Sequence, residues 1–177
     1  MGNLENYKNQ LSGKKKSSVK ELSRSLLYNY LTGGLEFENC IDVGCGRNIF
    51  VELMKKNGKK AVGLDRVKTG NDVIVGDVLK TPFKEKSFDL VFSSMVLEHV
   101  DHLKFIKEIG RVSRKYCIII TVKPCNAFWD SLDHKRPYTK KALKRLLELE
   151  NFEPIRFFDI PFVSTIGIVG KKINPKK

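Results

Sequence analysis

Cys40-Ile41-Asp42-Val43-Gly44-Cys45-Gly46-Arg47-Asn48 reads as a short buried strand that runs into a glycine turn and then into a helix. Glycine lets the backbone turn tightly and lets a ligand approach it, while the next helix, Ile49 to Lys56, offers free N–H groups and a positive dipole end. Asn48 is placed to cap that helix and Asn57-Gly58 to end it. Many nucleotide-binding chains share such a turn, and a plain strand-to-helix connection is the alternative. Two details narrow it. A dinucleotide fingerprint wants a third small residue where this chain has Ile49. Asp42 precedes the first glycine by two, and an acid there can neutralise a ligand's ammonium group, which a pyrophosphate ligand does not need.

Working outward, Ala61 to Leu64 is a second buried strand, closed by Asp65 about twenty residues on, where a carboxylate can accept both hydroxyls of a ribose. Val73 to Val75 is a third, closed by Gly76-Asp77-Val78. There the carboxylate can accept an adenine amino group and the Val78 N–H can reach a ring nitrogen. Three acids on successive strand tips suit an adenosine carrying an amine better than one carrying phosphates.

The remaining elements continue the alternation. Ser18-Val19-Lys20-Glu21 is a capping box for a helix whose Val19, Leu22, Leu26 and Tyr30, with Leu27 and Leu31, repeat at helical spacing until Thr32-Gly33-Gly34. Phe88 to Ser93 is a fourth strand, and a helix opening at Asp101 packs through Leu103, Ile106 and Ile109. Tyr116 to Val122 is unbroken apolar sequence, hence a strand covered on both faces. Thr139 to Leu149 turns Leu143, Leu146 and Leu147 inward. Ile155 to Asp159 and Val163 to Val169 follow around Pro161, able to pair antiparallel at one edge. Strand alternating with helix means α/β with a parallel sheet and right-handed crossovers.

At 177 residues and 41% apolar, the chain suits one domain, expected over 17–170 with residues 17–38 as its leading helix. The longest apolar run is far too short to span a bilayer, and no apolar block follows the N-terminal lysines, so a cytoplasmic protein without membrane contact is expected. Cys40, Cys45, Cys117 and Cys125 lack any C-x-x-C pair, and His99, His102 and His134 lack ligand spacing, so no metal is expected. The net charge of +13 is unevenly spread. Residues 1–20 carry five lysines against one glutamate and residues 171–177 four lysines and no acid, so tails at 1–16 and 171–177 are expected to be solvated. With 25 Lys to 8 Arg, the excess suits solubility better than base recognition, although RNA contact through the tails is a second reading.

Asp42-x-Gly44-x-Gly46, Gly63-x-Asp65, Gly76-Asp77, Thr81-Pro82-Phe83, Ser87-Phe88-Asp89-Leu90-Val91 and Leu97-Glu98-His99-Val100 together resemble the class I S-adenosylmethionine (SAM)-dependent methyltransferases. The similarity runs from about Cys40 to Val112 and is nearest the type-11-like subgroup marked by this Pro-Phe, Ser-Phe-Asp and Leu-Glu-His series. Asn48 replaces a glycine common in that turn, a change its tolerance of left-handed angles permits. The resemblance implies a Rossmann-like, doubly wound, seven-stranded sheet with the last strand antiparallel. It implies SAM across the strand ends, with Asp42, Gly44, Cys45, Gly46 and Asn48 near its methionine part. Asp65 then belongs at the ribose, Asp77 and Val78 at the adenine, and Ser93 and Ser94, with Met95, beside the sulfonium, and Arg66 also belongs to the cofactor site.

Methyl transfer asks mainly for positioning and, for some acceptors, removal of a proton. The candidates are Glu98, His99 and His134, with Phe128, Trp129, Arg136 and Tyr138 for substrate and Asp130 and Asp133 nearby. His134-x-Arg136-Pro137-Tyr138-Thr139 resembles a stretch that recurs in related methyltransferases, with Thr139 as a cap. Glu98 and His99 can equally shape a turn, and Arg136 can hold an anion or pair with Asp133. The expected activity is transfer to oxygen or nitrogen of a small or medium-sized acceptor. The alternatives are an RNA or protein methyltransferase guided by the lysines, and a SAM-binding module without catalysis.

Overall fold

The computed structural model describes residues 5, 7, 8, 18–129, 131–159 and 164–173, with the backbone alone at 18–21 and 127. Helix α1 spans Ser18–Thr32, strand β1 Asn39–Val43, helix α2 Ile49–Lys56, β2 Lys60–Asp65 and β3 Val73–Val75. Then come β4 Phe88–Ser94, α3 His102–Val112, β5 Ser113–Val122, the short α4 Asn126–Trp129, α5 Lys140–Leu149, β6 Phe152–Asp159 and β7 Thr165–Lys172. The strands form one seven-stranded sheet in the order β3-β2-β1-β4-β5-β7-β6. The first five are parallel, and β7 runs antiparallel between β5 and β6. The expected α/β architecture is the observed one. The order in which strands are added switches from one side of β1 to the other at β4, and a ligand crevice belongs at the carboxyl ends there.

Alternate residues of β5 serve opposite layers: Cys117 and Ile119 pack with Ile106 of α3 and Leu143 of α5, while Ile118 and Ile120 pack with Tyr28 and Leu31 of α1 and Phe50 of α2. On that second side Phe50 stacks on Phe92 at 3.9 Å between ring centroids, and Tyr28 meets both rings edge-on. Asp101 caps α3 by accepting from Leu103 N and Lys104 N, and Thr139 caps α5 by accepting from Ala142 N.

Four expectations shift. Leu22, Leu26 and Tyr30 of α1 lie more than half exposed, and Tyr28 and Leu31 are buried instead. Apolar residues at 26, 27, 28, 30 and 31 surround much of the helix, so more than one stripe reads as the inward one. Leu103 of α3 is likewise outward, with Phe105, Ile106, Ile109 and Val112 facing the core. Lys171 and Lys172 belong to β7 rather than to a tail, the Lys172 ammonium donating to the carbonyls of Gly110 and Glu150. Burial holds its pKa below the ordinary lysine value. At the other end, residues 5, 7 and 8 are helical and Tyr7 is docked on the domain. The capping side chains at 18 and 21, and Pro161 with Val163, lie outside what is described. No described helix is long and apolar enough to cross a membrane.

Candidate active site

The glycine turn is pinned to the neighbouring strand, Gly44 N and Cys45 N both donating to Leu64 O at 2.7 and 3.1 Å. Gly44 has φ +81°, and a Cβ there would drive into the side chain of Val96 in the turn after β4. Gly63 is equally constrained, since its Cβ would lie 2.6 Å from Cys45 Sγ and 2.7 Å from Asn48 Oδ1. Glycine at these positions draws three chain segments into contact. Asn48 takes the left-handed conformation (φ 64°) ahead of α2, but its side chain makes no cap bond. A capping side chain needs the extended backbone of an ordinary N-cap, which this residue lacks.

Three carboxylates surround the turn in different states. Asp42, next to last in β1, is buried, and its Oδ1 has no hydrogen-bond partner among the described residues. Burial, reinforced by the Asp65 charge, raises its pKa well above the usual carboxylate range. Asp65 at the end of β2 is buried but fully engaged. Its Oδ2 accepts from Gly46 N at 2.9 Å and from the Tyr7 hydroxyl at 3.0 Å, and its Oδ1 accepts from Val67 N at 3.1 Å. Asp77 is exposed, and its Oδ1 accepts from Leu79 N, leaving Val78 half-buried against the core.

The surrounding side chains are mostly committed. Arg66 is exposed and stacks on the Tyr7 ring at 4.3 Å. Ser93 is buried and donates to Val43 O at 2.8 Å, joining the ends of β4 and β1. Ser94 is half-buried and Met95 follows it with φ 60°. The Tyr28 hydroxyl, held near its protonated form by burial and the Asp42 charge, has its pKa pushed up to about 12, as burial also does to the Cys40 thiol. Burial likewise raises the Cys45 thiol, so these two cysteines are inert packing groups here.

A second cluster lies just beyond β4. Glu98 is fully buried, its Oε2 accepting from the Thr121 hydroxyl at 2.9 Å while Oε1 has no partner among the described residues. His99, exposed, and His134, half-buried, face each other with ring centroids 4.9 Å apart. The loop bearing His134 is fastened here by Lys135 N donating to Glu98 O at 2.7 Å. Phe128 is buried and stacks on His134, and Trp129, 69% exposed, packs edge-on against Phe128.

Other members of the sequence-derived set sit apart. Tyr138 is buried, its hydroxyl has no partner among the described residues, and burial takes its pKa up to about 12. Arg136 stacks on the Tyr138 ring at 5.1 Å. With His102, Arg145 and Leu146 these two line a cleft of about 240 Å³ bounded by α3 and α5. Asp133 contributes its carbonyl to His99, and Asp130 lies outside the described residues. Sequence reasoning missed Tyr7, Tyr28 and Thr121. Tyr28 follows once the buried stripe of α1 is known, whereas Tyr7 and Thr121 carry no local signal.

The residues present fit SAM. Asp42 offers a buried acceptor oxygen with no hydrogen-bond partner among the described residues, as an ammonium group requires, and Asp65 already accepts a hydroxyl, as a ribose would supply. A family model described as "Methyltransferase domain" matches residues 41–121. An uncharacterized protein of Methanocaldococcus jannaschii is 35% identical over 156 residues, 79% of this chain and 66% of that protein. Norajmaline N-methyltransferase of Rauvolfia serpentina is 29% identical over 130 residues, 63% of this chain and 44% of that one. The chain thus spans about two thirds or less of these curated relatives. Magnesium protoporphyrin IX methyltransferase from Synechocystis, solved with bound S-adenosylhomocysteine (SAH), superposes with a TM-score of 0.75 at 13% identity, covering 97% of this chain and 95% of that one. That likeness is one of fold.

Proposed function

The chain belongs to the class I SAM-dependent methyltransferases, and from that premise we propose that it moves a methyl group from SAM to an oxygen or nitrogen of a small or medium-sized acceptor. The observation that carries this reading is the unpartnered, buried Asp42 Oδ1 beside the glycine turn. SAM supplies a methyl group on a positively charged sulfur that leaves readily. Asp42 receives the donor's ammonium group, Asp65 its ribose hydroxyls, and Asp77 with the Val78 N–H its adenine. Cys45 and Gly46 supply backbone to the methionine part. Ser93 acts through the backbone it ties to β1, and Ser94 and Met95 border the reacting centre.

Glu98, His99 and His134 meet the acceptor and assist loss of its proton, and Trp129 with Phe128 gives it an aromatic surface. Tyr138 and Arg136 are support for this region, because one is buried in the core and the other stacks on it. A small acceptor is favoured over RNA because Lys172, at the lysine-rich C-terminal end, is committed to two carbonyls and unavailable to phosphates. Free, largely buried cysteines suit a reducing, cytoplasmic setting.

SAH is expected to raise the melting temperature while NAD leaves it unchanged. Asp65→Ala should weaken SAH by about 1–3 kcal/mol in calorimetry, the loss of charged hydrogen bonds. Equal stabilisation by NAD, or unchanged affinity in the variant, would remove the donor assignment.

A further inference from the structure

Glu98, His99 and His134 are separated by up to 36 positions in sequence, yet one carboxylate oxygen and one ring nitrogen from each histidine all lie within 4.8 Å of one another. Each is prepared as a ligand. Glu98 Oε2 is occupied by the Thr121 hydroxyl, so the unpartnered oxygen in this fully buried side chain is Oε1. His99 Nδ1 lies 3.3 Å from Asp133 O, and His134 Nδ1 3.3 Å from Phe128 O. A carbonyl can only accept, so both rings donate through Nδ1 and carry their lone pair on Nε2. Metal-binding histidines are held this way by a carbonyl behind the ring. The loop itself is locked by the Lys135 N to Glu98 O bond, which keeps the third donor beside the other two.

We propose that Glu98, His99 and His134 bind one divalent transition-metal ion and leave a coordination position open to the acceptor's oxygen or nitrogen. Two imidazoles and one carboxylate suit zinc or ferrous iron better than magnesium or calcium, which take oxygen donors. Bonds of about 2.0–2.1 Å at tetrahedral angles place ligand atoms about 3.3 Å apart, so the side chains close inward modestly on loading. His99 is exposed and His134 half-exposed, which leaves the outer side open as catalytic rather than structural sites require. Val96, two residues before Glu98, is the side chain that a Cβ on Gly44 would meet, so the turn that carries Glu98 and His99 touches the turn assigned to the methyl donor. An acceptor hydroxyl held there releases its proton to water more readily than in solution. The inference deepens the reading of the acceptor end, but metal binding is measured without any methyl transfer.

The test uses the full chain, stripped with a chelator and titrated with zinc in calorimetry, then with cobalt(II) followed by its visible absorption. One equivalent should bind, with the intense absorption of a four- or five-coordinate cobalt site. His99→Gln and His134→Gln should each weaken zinc at least tenfold, and Glu98→Gln should abolish the site. The two histidine variants replace exposed or half-exposed side chains and should retain the SAH-induced thermal shift, which confirms that they fold. Cys125→Ser should change nothing. Absence of saturable binding at one equivalent, survival of binding in all three variants, or its loss in Cys125→Ser would overturn the site. Zinc binding without an SAH response would instead retire the donor reading and leave the metal site standing.

Discussion

The two ends of the central sheet treat their buried acids in opposite ways. Where β4 begins, Asp89 accepts from Glu38 N at 3.0 Å and from Arg114 Nε at 2.9 Å, and Glu108 on the neighbouring helix accepts from Thr81 and Arg111. Burial works to raise both pKa values, but these partners prevail and leave each below its ordinary value. Where the parallel strands end, Asp42 and Glu98 are just as buried, and each keeps an oxygen with no partner among the described residues. A buried unpaired polar atom destabilises by roughly 1–3 kcal/mol, so the two open carboxylate oxygens are where a ligand would add most to stability. The Ser-Phe-Asp series thus stabilises the frame, and the glycine turn and Leu-Glu-His series carry the acids proposed to meet donor and acceptor.

The frame side should give the largest loss of stability. Asp89→Ala removes a charged acceptor from two donors and is expected to lower stability by about 2–3 kcal/mol, read from the urea midpoint at constant m-value. Because its folded pKa is depressed, the Asp89 contribution is complete above the unfolded carboxylate value and is lost as pH falls through the lower folded one. Stability that does not fall in Asp89→Ala would erase the contrast.

Asp42 should behave with the opposite sign. Its folded pKa is raised, so apo stability is greatest below the unfolded value and declines as pH climbs through the folded one. Asp42→Asn should therefore be no less stable than the parent at neutral pH without ligand. It should bind SAH about tenfold more weakly, about 1.4 kcal/mol. In the parent, the ligand's ammonium group requires the ionised acid, so affinity should fall as pH drops through the raised apo value. The same series in Asp42→Asn should be flat across that range. A matching slope in the variant would assign the proton to another group.

How much of this is legible in the sequence depends on range. The glycine turn, its three acids and the caps at Asp101 and Thr139 act over a few residues, and the pattern declared them. The inward face of α1 was ambiguous because apolar residues surround much of that helix, and only packing on Phe50 and Phe92 selects Tyr28. The Glu98–His99–His134 cluster was hidden from spacing rules for metals, because its members meet through tertiary contact between the β4 turn and the loop before α5. Lys172 looked like tail because charge at a chain end usually is, whereas here its ammonium lies over the Phe152 ring at 4.4 Å and donates to two carbonyls.

The smallest expected effect concerns Tyr7, which occupies the one carboxylate at this edge that is not left open. Burial, ahead of the Asp65 charge, raises its hydroxyl pKa, so it remains a proton donor at any working pH. Asp65 Oδ2 already takes the Gly46 N–H, so a ribose hydroxyl arriving there must displace or share with Tyr7. Tyr7→Phe removes the donor yet keeps the ring beneath Arg66, isolating the hydroxyl's part. SAH should then bind a few-fold tighter, less than about 1 kcal/mol, because one neutral-donor bond to a carboxylate no longer has to be exchanged. Weaker binding in Tyr7→Phe would mean that the hydroxyl closes over the bound donor, making this edge complete only with ligand and N-terminal segment together.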